Sequence, residues 1–143
     1  MPTPDPWRIH TFDVVLLDMP TPVTRRIGFA GHHRLDRLHD VLQAAMGWTW
    51  SHMWCFEQGD QVWGDSACDM MDWSDAGKTA LDRVLKAPGD RLIYRYDMGD
   101  DWEHHVTLVD VSDATPGALY PALITGEGRC PPEDCGGVPG YAH

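Results

Sequence analysis

Arg91-Leu92-Ile93-Tyr94-Arg95-Tyr96, then Asp97-Met98-Gly99-Asp100-Asp101, then Trp102-Glu103-His104-His105-Val106-Thr107-Leu108-Val109-Asp110-Val111, is the stretch on which the fold turns. Successive side chains of a strand point to opposite faces. Leu92, Tyr94 and Tyr96 therefore share one face of the first segment, and Trp102, His104, Val106 and Leu108 share one face of the last. Glu103, His105, Thr107 and Val109 fall on the other. Two alternating runs joined by Asp and Gly read as a hairpin.

Working outward, residues 7–17 alternate in the same way, with Phe12, Val14 and Leu16 on one face. Pro20-Thr21-Pro22 is a turn, and residues 23–29 read as the return strand with Arg25 and Arg26 facing out in part. Leu35, Leu38, Val41, Leu42 and Ala45 recur at helical spacing, and Gly47 stands where a C-terminal cap belongs. His39 lies on or beside that apolar stripe and reads as a core-edge histidine with a hydrogen bond. Trp48, Trp50 and Trp54 read as core and rim packing. Residues 52–57 and 61–64 form a second hairpin across Gly59-Asp60. Residues 65–74 are a loop holding Cys68, after which Ser74 is expected to cap a short helix carrying Leu81, Val84 and Leu85. Residues 119–125 read as a last strand, and from Gly126 the chain is too rich in Gly and Pro for either period. The pattern predicts one α+β domain over 1–143, a mostly antiparallel sheet with two helices and a Gly/Pro-rich C-terminal loop.

The charge narrows the function. The 143 residues carry a net charge of -11, from 22 acids against 11 Lys and Arg. Eighteen of the acids are Asp, which suits caps, turns and ligand loops rather than helix interiors. An acidic surface repels phosphate backbones, so direct nucleic-acid binding is not expected. No apolar run is long enough to span a bilayer and no signal sequence opens the chain, so the expected location is the cytoplasm, with no membrane partner. There Cys55, Cys68, Cys130 and Cys135 are expected to be reduced.

Two segments carry candidate chemistry. At the hairpin tip, Asp97, Asp100 and Asp101 crowd together with His104 just inside the following strand. Crowded carboxylates need a cation, backbone donors or a shared proton, which makes the tip a candidate cation or acid/base site. Asp and Gly are also what any hairpin turn uses, and the acids do not follow calcium-loop spacing. His104 shares its face with Trp102, so it is expected to be buried with a partner, for which a carbonyl would suffice. The second segment is Gly126 to Tyr141. Cys130 and Cys135 stand at the wide end of zinc-knuckle spacing, and His104, His52 or an acid of the tip would complete a tetrahedral zinc site. Two free thiols or a disulfide are the competing readings. Glu133 and Asp134 are candidate acid/base groups or acceptors for the backbone of the loop, and Gly136-Gly137 offers an anion nest. No nucleophile elbow, zinc-protease helix or phosphate loop is present.

These segments resemble the root-inducing-plasmid ORF-3-like family, also labelled insertion-element passenger proteins. The resemblance runs in order from about Trp7 to Tyr141. It takes in Leu38-His39, Gln43-Ala44-Ala45-Met46-Gly47-Trp48, Ser51-His52 and Phe56, and Tyr96-Asp97 with Gly99-Asp100-Asp101-Trp102-Glu103-His104. It continues through Tyr120-Pro121, Gly126, Pro131-Pro132-Glu133-Asp134, Gly136-Gly137 and Gly140-Tyr141. Met98 stands where the family has Phe, and the family's helical, acidic tail is expected to be missing after His143. The resemblance implies a compact α+β fold with one central sheet, a carriage on mobile elements, and a site in which the tip and the C-terminal loop act together.

Two functions from different classes fit. The first is a non-catalytic binding module, recognising a protein partner or a small or metal ligand through Asp97, Asp100, Trp102, Gly136, Gly137 and Tyr141. The second is a zinc-dependent enzyme, a hydrolase, with His104, Cys130, Cys135 and His52 as ligands and Glu133, Asp134 or Asp101 as acid/base groups. The expected surface forms where the tip and the loop converge beside His104. The same acids would otherwise latch the loop to the hairpin.

Overall fold

The computed structural model describes residues 8–50, 52–65, 73–97 and 101–128. In chain order its elements are β1 (Arg8–Leu16), β2 (Val23–Ala30), α1 (Leu35–Met46), β3 (Trp54–Gln58), β4 (Gln61–Gly64), β5 (Ser74–Asp75), β6 (Arg91–Tyr96), β7 (Trp102–Asp113) and β8 (Ala122–Glu127). The strands form one eight-stranded sheet in the order β5-β4-β3-β6-β7-β1-β2-β8. Every neighbouring pair is antiparallel except β4 with β5. The β6–β7 hairpin sits at the centre, and the last strand runs slightly later than its predicted span.

Alternation decides which side of the sheet is core. Phe12, Val14, Leu16, Ile27, Phe29, Trp54, Phe56, Leu92, Tyr94, Tyr96, Trp102, Val106 and Leu108 are buried on one face. Leu35, Leu38, Leu42 and Met46 of α1 pack against them. Burying each such side chain contributes about 1.5–3 kcal/mol relative to leaving it in water. The opposite face carries polar pairs such as Arg26 with Asp13, at 2.6 Å. Helix α1 ends where expected: Gly47 takes the left-handed conformation (φ 78°), and its N–H reaches the Ala44 carbonyl. Arg25 completes the stop, its Nε donating to the Ala45 carbonyl at 3.0 Å. A cation there complements the helix dipole.

The expected α+β class with two helices is overturned. Among the described residues strand accounts for 49% and helix of all kinds for 16%, with one α-helix, so they form a β-rich sheet with a helical cover. The difference lies in residues 74–85. Ser74 does not cap a helix; Ser74–Asp75 join the sheet beside β4, and two single 3-10 turns follow at Ala76–Lys78 and Leu81–Arg83. The backbone is committed elsewhere: Leu35 N–H donates to Thr79 O, Leu81 N–H to His33 O and Asp82 N–H to Gly31 O. A segment this short gains little from helix propagation, so cross-chain bonds win. Leu81, Val84 and Leu85 are buried regardless. Among the described residues no helix is long and apolar enough to cross a membrane.

Candidate functional site at the hairpin end of the sheet

A buried polar network ties α1 to the central hairpin. Gln43 Nε2 donates to Tyr94 Oη at 2.9 Å, and His39 Nδ1 lies 2.7 Å from the same oxygen. The hydroxyl accepts from Gln43 and shares a second hydrogen bond with Nδ1. Gln43 Oε1 accepts the Trp50 N–H at 2.9 Å, which closes the network. His39 stacks on Trp54 at 4.1 Å, and burial pushes its pKa down to about 4 despite Asp65 and Asp36. The core-edge reading of His39 therefore holds.

His104 lies on the far side of Tyr94. It is fully buried among Trp48, Tyr94 and its own strand, with its ring edge-on to Trp48 at 5.2 Å. Its Nδ1 is 3.0 Å from the Tyr94 carbonyl. A carbonyl only accepts, so Nδ1 carries the proton and Nε2 presents a bare lone pair. Burial pushes this imidazole down to about 4 as well, against the upward pull of backbone hydrogen bonding at Tyr94 and Trp102. Two residues earlier on the same face, Trp102 is also fully buried. Among the described residues neither Trp102 Nε1 nor His104 Nε2 meets a hydrogen-bond partner. Trp48 stacks over both Tyr96 and Trp102 and closes this end of the core.

The tip acids separate to opposite sides. Asp97 is buried in a left-handed conformation (φ 61°), its N–H donating to Met53 O and its carboxylate 3.6 Å from His52 Nε2. Asp101 is also left-handed (φ 54°), and its N–H donates to the Asp97 carbonyl. Its carboxylate turns to Arg95, which holds Asp101 at 3.1 Å, Glu57 at 3.0 Å and Glu103 at 3.0 Å. Burial works against the guanidinium charge, and the bonds to Glu57 and Asp101 overcome it, holding Arg95 above its usual pKa. Arg95 thus supplies the cation that the Asp101 side of the tip requires.

His52 and Asp97 are brought together, and Trp102 and His104 lie beside them on the core face. Asp101 is drawn to the polar face. Asp100, Cys130, Glu133, Asp134, Cys135, Gly136, Gly137 and Tyr141 lie outside the described residues. Among the described residues no group of three or more His, Cys, Asp or Glu side chains is placed to hold a metal ion. Cys55 is buried, and burial beside Glu57 pushes its thiol up to about 12, so it stays protonated and unreactive. Arg95, Tyr94, Gln43 and Trp48 were not anticipated as site residues. Arg95 had a readable signal, since it pairs directly opposite Glu103 and lies diagonal to Glu57.

The sheet register also fixes where β8 ends. Glu127 pairs with Thr24, Thr24 with Val15, and Val15 with His105, so one row across the sheet joins Glu127 to the residue after His104. Beyond it, Arg25 holds the carbonyls of Glu127 and Gly128 at 2.9 and 3.0 Å. The chain therefore leaves the described sheet at its hairpin end.

Comparison with known proteins places this geometry in a family. An uncharacterised protein of Sinorhizobium fredii is 39% identical over 136 residues, covering 89% of this chain and 66% of that protein. This chain thus spans about two thirds of the length of that curated relative. The crystal structure of a protein of unknown function from Methanosarcina mazei superposes with a TM-score of 0.87 at 26% identity, covering 95% of this chain and 78% of that one. The family profile described as plasmid pRiA4b ORF-3-like protein matches residues 8–143, and the chain belongs to that family.

Proposed function

We propose that this chain is a cytoplasmic, mobile-element-associated binding module whose recognition surface lies at the hairpin end of the sheet. The observation that carries this reading is a pair of buried polar atoms without partners among the described residues, the Trp102 indole donor and the His104 Nε2 acceptor. A buried polar group left unpaired costs about 1–3 kcal/mol, so two on one strand face call for a ligand group with both an acceptor and a donor. Asp97 and His52 border the same face, 3.6 Å apart. On this reading Glu133, Asp134, Gly136, Gly137 and Tyr141 belong to the same surface, because β8 ends at this end of the sheet. Hydrogen exchange tests the arrangement. Amides of residues 126–141 are expected to exchange faster in an Asp97→Asn/Asp101→Asn variant than in the wild type. Equal rates would mean that the two segments do not meet, and this surface would be abandoned.

The second reading is a zinc site with His104, Cys130, Cys135 and His52, and with Glu133 or Asp134 as base if one position stays open. The His104 tautomer favours it. A metal-binding histidine commonly donates one ring N–H to a carbonyl and offers the other nitrogen to the metal. Metal analysis of purified protein decides it: one zinc per chain, lost in Cys130→Ser/Cys135→Ser, is the expected result on this reading, and metal-free wild-type protein rejects it.

A further inference from the structure

Trp48 and Trp50 stand two residues apart and meet opposite fates: Trp48 is buried, and Trp50 is 51% exposed. Trp50 also takes a left-handed backbone (φ 59°), which strains a bulky residue and persists only where its surroundings enforce it. Two hydrogen bonds do so. The Trp50 N–H donates to Oε1 of Gln43, which is fully buried and tied to Tyr94. The Trp50 indole Nε1–H donates to Asp40 Oδ1 at 3.0 Å. Neither bond buries the ring. Together they fix its direction, so an open aromatic surface is ordered before anything binds to it.

The chemistry around the ring says what it would receive. Among the described residues the indole stacks on no other ring and meets no cation. The second oxygen of Asp40 makes no hydrogen bond or ion pair among them, although Arg37 stands one turn back on α1. Trp50 lies between Gly47, which ends α1, and Met53, whose carbonyl accepts the Asp97 N–H at the hairpin tip. Beside that tip Arg95 answers three carboxylates, those of Glu57, Asp101 and Glu103, so negative charge is in excess there as it is in the whole chain. A purely apolar partner would cover the Asp40 carboxylate without pairing it, and an acidic one would be repelled. A guanidinium meets both demands, because it is planar, stacks on an indole face and donates sideways to a carboxylate.

We propose that Trp50 and Asp40 form the anchor for an arginine side chain of a partner protein. The proposal rests on the hairpin-end reading above and names the chemistry of its partner. The guanidinium lies flat on the indole and donates to the open oxygen of Asp40. Met53, three residues on and 45% exposed, adds apolar area to the same loop.

The probe is a blocked hexapeptide, acetyl-Gly-Arg-Gly-Gly-Arg-Gly-amide, with lysine and citrulline versions as controls. NMR follows the Trp50 indole N–H signal of the full chain at physiological salt. The arginine peptide is expected to shift this signal saturably, with a Kd below about 1 mM. The lysine peptide should bind at least about threefold more weakly, and the uncharged citrulline peptide should not saturate by about 5 mM. Trp50→Gly keeps the backbone N–H for Gln43 and accepts the left-handed conformation, and Asp40→Asn keeps an acceptor for the indole. Each should weaken binding at least about threefold, read from backbone amides of residues 47–53, and urea melts establish that both variants are folded. No saturation by about 5 mM, equal binding of the arginine and lysine peptides, or a Trp50→Gly variant that binds as the wild type does overturns the proposal. Binding that survives Trp50→Gly but is lost in Asp97→Asn/Asp101→Asn rejects this anchor and leaves the hairpin-end surface standing. The reverse pattern keeps the anchor and removes the tip from the surface.

Discussion

Lowering the pH from about 8 to about 5 should destabilise this protein through two histidines on either side of Tyr94. His39 and His104 are held neutral by burial, each with a folded-state pKa of about 4 against 6.5 for an ordinary histidine. The unfolded chain takes up protons near 6.5 that the folded chain refuses until about 4. Their contribution is therefore complete above 6.5, declines as the pH falls through that window, and levels off below about 4. At about pH 5 linkage gives about 2 kcal/mol for each histidine, or about 4 kcal/mol for the pair. That is a large share of the 5–15 kcal/mol typical of a domain. Urea melts across this range measure it. NMR of the two ring Cε1–H signals, followed in the folded protein, identifies the groups responsible. Stability that stays flat between about pH 7 and 5, or either ring titrating near 6.5 in the folded state, would refute the argument.

Leu42 is fully buried on α1, and Leu42→Ala should cost about 2–5 kcal/mol from lost burial and a cavity; a denaturant melt showing under about half a kcal/mol would place the helix at the surface. Arg95→Gln leaves Glu57, Asp101 and Glu103 facing one another without their cation. The groups are partly exposed, so the expected loss is about 1 kcal/mol, smaller in about 1 M salt, and a loss independent of salt would point to packing instead. Duplex DNA should bind no tighter than about 10⁻⁴ M at physiological salt, and a salt-sensitive mobility shift at low micromolar protein would contradict the charge argument.

Period-two alternation made the centre of the fold readable. Leu92, Tyr94 and Tyr96 and their partners Trp102, His104 and Val106 are both sequence pattern and core face, because a sheet covered on one side buries every second residue. Helix α1 was equally legible, since its stripe and Gly47 agree on one end point. Residues 74–85 misled because their apolar spacing suits a helix, while their backbone bonds go to the segment before α1, which no local pattern reveals. The tip shows the same limit. Asp97, Asp100 and Asp101 are adjacent in sequence and read as one acidic cluster. Arg95 reorders it by drawing Asp101 to the polar face, while Asp97 stays with His52. His104 was expected to be buried with a carbonyl partner, and it is; that its second nitrogen lacks a partner among the described residues depends on three dimensions.

The pairing of β1 with β7 has a consequence for how the molecule is made. Arg8 stands opposite Asp113 and Leu16 opposite His104, so the first strand synthesised finds this neighbour only when most of the chain exists. The local β1–β2 hairpin has its turn from the outset, yet its apolar side, Phe12, Val14, Ile27 and Phe29, has no sheet to join until β7 follows. Contacts this distant along the chain slow folding, because the intervening loop must be closed before they repay the cost. On the ribosome, the β1–β2 hairpin is therefore a waiting half, with helix α1 available early to cover its apolar side but the edge of β1 open until β7 follows. Chaperone capture of nascent chains should concentrate on these residues, and a circular permutant that starts at β3 and places β1 and β2 after β8 should shorten that wait.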